Sequence, residues 1–88
     1  MPGITHKDMK IKSDTYITEK QQAFIRFFLS VEDRKAIALK AEKSLSLTNN
    51  LIDRRTPVTD NNLGLVAMLL SEAKKQKRKI AREYADFS

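Results

Sequence analysis

The residues with the clearest chemistry form a basic run near the end of the 88-residue chain. Six of the nine positions at 74–82 carry a positive charge: Lys74, Lys75, Lys77, Arg78, Lys79 and Arg82. These six account for the whole net charge of +6, since the other basic residues are balanced by acids. On a helix they would spread around much of the circumference. Six phosphate contacts on a duplex would give a log–log salt slope of roughly −5. The run therefore predicts a surface that binds a polyanion, with double-stranded DNA as the expected partner, although cations at a solvated helix end are also favoured by the helix dipole.

A second cluster of polar residues has the chemistry needed to read base sequence. It consists of Thr48, Asn49, Asn50, Arg54 and Arg55. Asparagine pairs with adenine, and arginine with guanine, through two hydrogen bonds in the major groove. The surrounding sequence, KAIA at 35–38 and SLTNNLI at 46–52, resembles the pattern of a helix-turn-helix, although the turn contains no glycine. An equally weighted interpretation is a capped helix that packs beneath the last helix.

Few residues are suited to catalysis or to metal binding. The chain has no cysteine, which excludes a disulfide, a thiolate nucleophile and a sulfur-ligated metal. The single histidine, His6, lies in a segment that we expect to be flexible, with no fixed carboxylate to orient it. Glycine-rich phosphate loops are excluded because only Gly3 and Gly64 occur, and Gly64 is expected to allow close helix packing. We therefore expect no enzymatic activity, no metal and no cofactor.

Caps and apolar spacing predict an all-α fold of about four helices with a helix-turn-helix-like core and a long basic C-terminal helix. Residues 1–16 lack an apolar period and are expected to form a flexible arm, followed by one helical domain at 17–88. Thr18 and Gln21 fit a capping box that starts the first helix. Its apolar face is predicted to hold Phe24, Ile25, Phe27 and Phe28.

Three further helices are predicted after the first. Ser30 caps a second helix at 31–43. Its predicted buried residues are Ile37, Ala38, Ala41 and Leu45. Ser46 caps a third helix at 47–54, which turns Thr48, Asn49, Asn50 and Arg54 outward, before Pro57 ends it. Thr59 or Asp60 caps a fourth helix that reaches about residue 84. Its apolar seam is Leu63, Val66, Leu70, Ala73, Ile80 and Tyr84, and the seam is broken only by Lys77. The seam predicts a homo-oligomer, although burial against the first three helices would give the same pattern.

The apolar pattern also bears on the compartment. The longest apolar run, at 63–70, is well short of the roughly 18 residues that a membrane-spanning helix needs. The first residues do not follow the pattern of a secretory signal. We expect a cytoplasmic protein without membrane attachment.

Three segments, with the alanine-rich helix that follows the first, together cover about half of the chain and carry a family resemblance. They are ITEKQQAFI at 17–25, LIDRR at 51–55 and NLGLVAMLL at 62–70. The first, followed by an alanine-rich helix, resembles the opening of phage terminase small subunits, and the other two are similar to short members of that family. The resemblance implies a ring-forming, non-catalytic DNA binder in the host cytoplasm, which hands viral DNA to a separate motor subunit.

Two other interpretations stay open. A strand at 24–29, with Ile25, Phe27 and Leu29 on its buried face, would give the outline of a ribbon-helix-helix repressor, whose paired strands enter the major groove. A helix-turn-helix repressor is the related alternative. An alternative of another class is a small helical inhibitor or adaptor that presents its last helix to a protein partner. Salt-dependent binding of a DNA duplex distinguishes the DNA binders from the adaptor.

Overall fold

The computed structural model describes residues 4–85 of the chain. In this range four α-helices follow a 3₁₀ turn at His6–Met9: α1 (Glu19–Phe28), α2 (Val31–Lys40), α3 (Leu45–Ile52) and α4 (Leu63–Ala85). Extended segments of the same range meet in one antiparallel bridge, between Thr15 and Val58. The prediction of a small all-α domain with a long C-terminal helix is confirmed. The alternative prediction of a strand at 24–29, which a ribbon-helix-helix fold requires, is wrong, because residues 24–28 belong to α1.

Reciprocal side-chain caps decide where α1 and α2 begin. The Thr18 hydroxyl accepts from the N–H of Gln21 at 3.0 Å, and the Gln21 Oε1 accepts from the N–H of Thr18 at 2.9 Å. Ser30 and Asp33 make the same pair of hydrogen bonds at 3.2 and 2.9 Å. Both boxes satisfy N–H groups that have no partner within the first helical turn. The two predicted helix starts are confirmed.

The junction between α2 and α3 lies earlier in the chain than the sequence predicted. α2 ends at Lys40 because Glu42 adopts a left-handed backbone with φ 59°, which a continuing helix cannot accommodate. α3 then begins after Ser44, whose hydroxyl accepts from the N–H of Leu47 at 3.0 Å. The prediction that Ser46 caps α3 is wrong by two residues, since either serine has the required chemistry. Of the four residues expected to be buried here, Ile37 and Ala38 are buried, and Ala41 and Leu45 are half-buried.

The start of α4 is also displaced from its prediction. The helix begins at Leu63, after a turn in which the buried Asn62 accepts from the N–H of Thr59 at 2.7 Å and donates to the Pro57 carbonyl at 3.2 Å. Asn62 therefore holds the approach to α4, rather than the Thr59 or Asp60 side chain. Gly64 follows in an exposed position, where an added Cβ would meet no heavy atom within 4 Å. The close helix packing expected at Gly64 is wrong.

The core lies where α4 packs on α1 and α2, with α3 closing the remaining side. Phe24 and Phe28 meet edge to face inside it, with ring centroids 5.1 Å apart. Phe27 was predicted to share their face of α1. It is 54% exposed, because its side chain points to the edge of the α1 face that packs on the core. On α4 the buried residues are Leu65, Val66, Leu69, Leu70 and Ala73. The predicted seam missed Leu65 and Leu69, since the core covers a wider arc of the helix than a two-helix seam does.

Residues 4–16, which the sequence suggested as a flexible arm, lie against the helical domain. Gln21 is 2% exposed, and its Nε2 donates to the carbonyls of Asp8 at 2.7 Å and Lys10 at 3.0 Å. Further along, the Val58 carbonyl accepts from the N–H of Asp14 at 2.7 Å, and the Val58 N–H donates to the Thr15 carbonyl at 2.8 Å. The capping box uses only the Gln21 oxygen, so the amide nitrogen is left to hold the preceding segment.

Candidate nucleic-acid interface

α4 is long enough to carry a surface beyond the core. Its 23 residues, at about 1.5 Å each, span roughly 34 Å of a molecule that measures 43 × 26 × 17 Å. Its fully buried residues end at Ala73. Beyond that point Lys77 and Ile80 are half-buried, and residues 81–85 are exposed. The first half of α4 therefore anchors the helix, and the second half carries the basic run.

Helical rotation gathers most of the basic run on one side of α4. Each residue turns an α-helix by about 100°, which places five cations within an arc of about 140°. These five, the α4 basic face, are Lys74, Lys75, Arg78, Lys79 and Arg82. The arc is centred opposite the buried residues of α4, and four of the five side chains are exposed, with Lys74 half-buried. The six cations were expected to spread around much of the circumference. Five of them share one side of α4, and Lys77 lies apart from them.

Lys77 belongs to the inner side of α4. Its Nζ lies 5.9 Å from the centroid of the Phe24 ring, within the range of a cation–π contact. Phe24 itself is completely buried. The lysine therefore lies at the end of the core, at the position where the sequence showed a break in the apolar seam. It is not a member of the outward surface.

The cations of the α4 basic face make few ion pairs with the described residues. Lys75 Nζ lies 4.0 Å from Oε2 of Glu72, at the outer limit of an ion pair. For the other four cations, no carboxylate oxygen within residues 4–85 comes that close. Other parts of the domain do pair, as in Arg26 with Asp53 at 2.6 Å. The positive field is therefore concentrated along the outer side of α4.

The second predicted cluster does not form one outward surface. α2 and α3 are consecutive and pack on each other, but Thr48 is 0% exposed and its hydroxyl donates to the Ser44 carbonyl at 2.9 Å. The predicted outward direction of Thr48 is wrong, because Thr48 lies three and four positions before the buried Leu51 and Ile52 and shares their face of α3. Asn49 and Asn50 are half-buried. The Oδ1 atom of Asn49 is buried without a hydrogen-bond partner among the described residues.

Arg54 and Arg55 end α3. Arg54 has a left-handed φ of 59°, and its N–H donates to the Leu51 carbonyl at 3.2 Å. The N–H of Arg55 donates to the Asn50 carbonyl at 2.9 Å, which completes a Schellman motif with arginine in the usual glycine position.

The Arg54 side chain is exposed, but it turns back towards the start of α1. Its Nε donates to the Ile17 carbonyl at 2.9 Å, and its Nη1 lies 3.3 Å from Oε1 of Glu19. These contacts hold its guanidinium against the domain. Arg55 is exposed, so it stays available as a contact residue beside Asn49 and Asn50.

The surface of the described part includes two grooves that the sequence did not indicate. One, of about 550 Å³, runs between α2 and α4. Its charged residues balance, with Asp33 and Glu72 against Lys40 and Lys75. The other, of about 570 Å³, lies between the N-terminal segment and the start of α1. Local patterns miss both grooves, because their walls come from segments that are far apart in the sequence.

The Asp8 carboxylate has a structural role. The pKa of Asp8 is lowered to about 2 by the N–H of Thr5, the Lys20 ammonium and the Thr5 hydroxyl, so this carboxylate acts as an ionised cap. His6 is exposed in the same turn. Within residues 4–85 no three histidine or carboxylate side chains form a group that could hold a metal ion. No helix in this range combines the length and the apolar composition needed to cross a membrane.

Comparison of the chain with family models, with curated proteins and with solved structures finds no match. Its function must therefore be inferred from its own residues and their geometry.

Proposed function

We propose that this protein binds double-stranded DNA without catalytic activity and contacts the phosphates through the α4 basic face. The observation that supports this most is the placement of five cations on one side of a helix, opposite its buried residues. Residues 74–82 cover roughly 12 Å of helix axis, about the width of the DNA major groove. Cations at the two ends of this stretch, such as Lys74 and Arg82, can therefore reach phosphates on both sides of a groove.

Contacts of this kind hold the duplex without reading its sequence. Lysine and arginine on phosphates set position and affinity, whereas base edges supply specificity. We assign any sequence preference to Asn50 and Arg55 at the end of α3. Asn49 is left out, because its Oδ1, which would have to accept a hydrogen bond from a base, is buried. Thr48 and Arg54 are left out, because one is buried and the other is bonded to Ile17.

The test is the salt dependence of binding to a mixed-sequence duplex, measured by fluorescence anisotropy. Five phosphate contacts give a log–log slope of about −4.5. Replacing Arg78, Lys79 and Arg82 with Gln should change it to about −1.8, at about 0.9 per lost contact. The matched control replaces Lys20, Lys35 and Lys43 with Gln, which removes the same charge elsewhere and should leave the slope unchanged. Equal weakening by both triple variants would contradict a specific role for α4.

The narrower role that we propose is DNA recognition in phage genome packaging, in the host cytoplasm and beside a separate motor subunit. It rests on the similarity of residues 17–25, 51–55 and 62–70 to terminase small subunits. A helix-turn-helix repressor acting through α2 and α3 is the alternative. Light scattering of the purified protein separates the two, since a packaging component forms a ring of many copies and a repressor forms a dimer.

Self-association through the end of α4 is part of this proposal. Tyr84 is 66% exposed and lies on the same side of the helix as Ala73 and Ile80. A domain of this size buries only about 60% of its unfolded surface, so a subunit contact would add stability. Tyr84→Ser should lower the mass measured by light scattering. Phe27→Ser, at an exposed aromatic on α1, is the control and should not.

Protein binding in the groove between α2 and α4 is the second candidate function. The balanced charges of this groove favour a protein partner over a polyanion. An adaptor of this kind should show no affinity for the duplex at low salt, so the same titration decides between the two functions.

A further inference from the structure

A second basic surface lies in the groove between the N-terminal segment and α1. Lys7, Lys10 and Lys12 line this groove of about 570 Å³, and all three are exposed. Tyr16 belongs to the same lining and is 45% exposed. Arg54 also lines the groove. The groove thus combines three lysines and an arginine with an accessible aromatic ring, a combination that the α4 basic face lacks.

Hydrogen bonds hold the backbone that carries these side chains. Gln21 binds the carbonyls of Asp8 and Lys10, and Val58 binds Asp14 and Thr15. The backbone that carries the three lysines is therefore held by hydrogen bonds at Asp8 and Lys10 and again at Asp14 and Thr15. A backbone that is already ordered loses less conformational entropy when a ligand binds.

The acids of the groove are already occupied. Asp8 Oδ2 lies 3.0 Å from the Lys20 ammonium, and Glu19 Oε1 lies 3.3 Å from Nη1 of Arg54. Within the described residues, no carboxylate oxygen lies within 4.0 Å of Lys7, Lys10 or Lys12. The three lysines of the groove therefore present positive charge that no carboxylate among residues 4–85 pairs with.

We propose that this groove binds single-stranded nucleic acid, with a base stacked on Tyr16 and the adjoining phosphates on Lys7, Lys10 and Lys12. Aromatic rings beside cations are the usual means of holding unpaired strands, because every base has a face that can stack. In a duplex those faces are covered by neighbouring bases. The volume lies within the roughly 300–1,000 Å³ of small-ligand pockets, enough for a nucleotide unit. This site goes beyond the proposed duplex binding and does not depend on it.

Tyrosine fluorescence tests the stacking directly. The chain has two tyrosines and no tryptophan, so Tyr84→Phe leaves Tyr16 as the only fluorophore of this kind. Short oligo-dT should quench this fluorescence on binding. In anisotropy titrations Tyr16→Ser should weaken oligo-dT binding about tenfold, and Tyr16→Phe should restore it, because phenylalanine keeps the stacking face.

The phosphate contacts are tested by replacing Lys7, Lys10 and Lys12 with Gln. The log–log salt slope for oligo-dT should fall in magnitude by about 2, at about 0.7 per phosphate on a single strand. The matched control is the α4 triple variant with Gln at 78, 79 and 82, which removes equal charge and should weaken duplex binding more than oligo-dT binding. Circular dichroism of each variant checks that the helices are retained.

The site is refuted if saturating oligo-dT leaves Tyr16 fluorescence unchanged, or if the two triple variants weaken oligo-dT equally. Failure of the duplex proposal looks different. In that case duplex binding survives the α4 triple variant, while oligo-dT still quenches Tyr16.

Discussion

Two residues with the same backbone conformation should respond in opposite ways to glycine. Glu42 and Arg54 both follow a helix C-terminus with φ 59° and both close a Schellman motif. The Glu42 side chain makes no hydrogen bond or ion pair with the described residues, whereas Arg54 binds the Ile17 carbonyl and Glu19. We predict that Glu42→Gly stabilises the protein and that Arg54→Gly destabilises it.

The magnitudes follow from separate backbone and side-chain effects. A left-handed conformation costs a non-glycine residue about 1–2 kcal/mol, and glycine loses about 0.5–1 kcal/mol more entropy on folding. Glu42→Gly should therefore raise the free energy of unfolding by about 0.5–1 kcal/mol. Arg54→Gly gains the same amount but leaves the partly buried Ile17 carbonyl without its donor, which costs about 1–3 kcal/mol. The exposed pair with Glu19 adds little, so the net change at Arg54 is a loss of about 1 kcal/mol.

Thermal unfolding followed by circular dichroism measures this difference, since 1 kcal/mol shifts Tm by about 4–8 °C in a domain of this size. The Glu42→Ala and Arg54→Ala variants are the controls, because alanine keeps the backbone strain. Glu42→Ala should be nearly neutral, and Arg54→Ala should be the least stable of the four. If both glycine variants raise Tm equally, the Arg54 side chain contributes nothing, and the role assigned to its bond with Ile17 is refuted.

Three further predictions concern stability. Gly64→Ala should raise the free energy of unfolding by about 0.5–1 kcal/mol, because the added methyl group contacts no other atom and alanine favours the helix. The expected result is a higher Tm, and a lower Tm would contradict this. Phe24→Ala should cost about 3–5 kcal/mol in urea unfolding, against less than about 1 kcal/mol for Phe27→Ala, because only Phe24 is fully buried. Asp8 has a pKa lowered from 3.8 to about 2, so its stabilising effect is present above pH 3.8 and is lost as the pH falls towards 2. The difference in urea midpoint between the wild type and Asp8→Asn should shrink over that range, and a constant difference would argue against an ionised Asp8.

The sequence predicted those features that depend on neighbours within one helical turn. The capping boxes at Thr18 and Ser30 join residues three positions apart, so both helix starts can be located from the amino-acid sequence. The start of α3 was missed because Ser44 and Ser46 are equal in local chemistry. Only the packing of Thr48 into the core selects Ser44.

The candidate site was predictable in part. The basic run is visible in the sequence, and the helical period separates Lys77 from the other five cations. That the side of Lys77 faces the core could not be predicted, because the contact is with Phe24, fifty-three residues earlier in the chain. The groove at Tyr16 could not be predicted, because it exists only once Gln21 and Val58 hold the N-terminal segment.

By itself, the sequence determined the helical class, two helix starts and the location of the excess positive charge, since each depends on composition or on contacts along one helix. The tertiary structure alone decided which residues face outward, that Arg54 serves the fold, and that residues 4–16 lie against α1. The physical reason is that these outcomes depend on hydrogen bonds and packing between distant segments, such as Arg54 to Ile17 across thirty-seven positions. A local sequence pattern does not show which distant group a side chain will contact. Those contacts are determined by burial and by hydrogen bonding between segments.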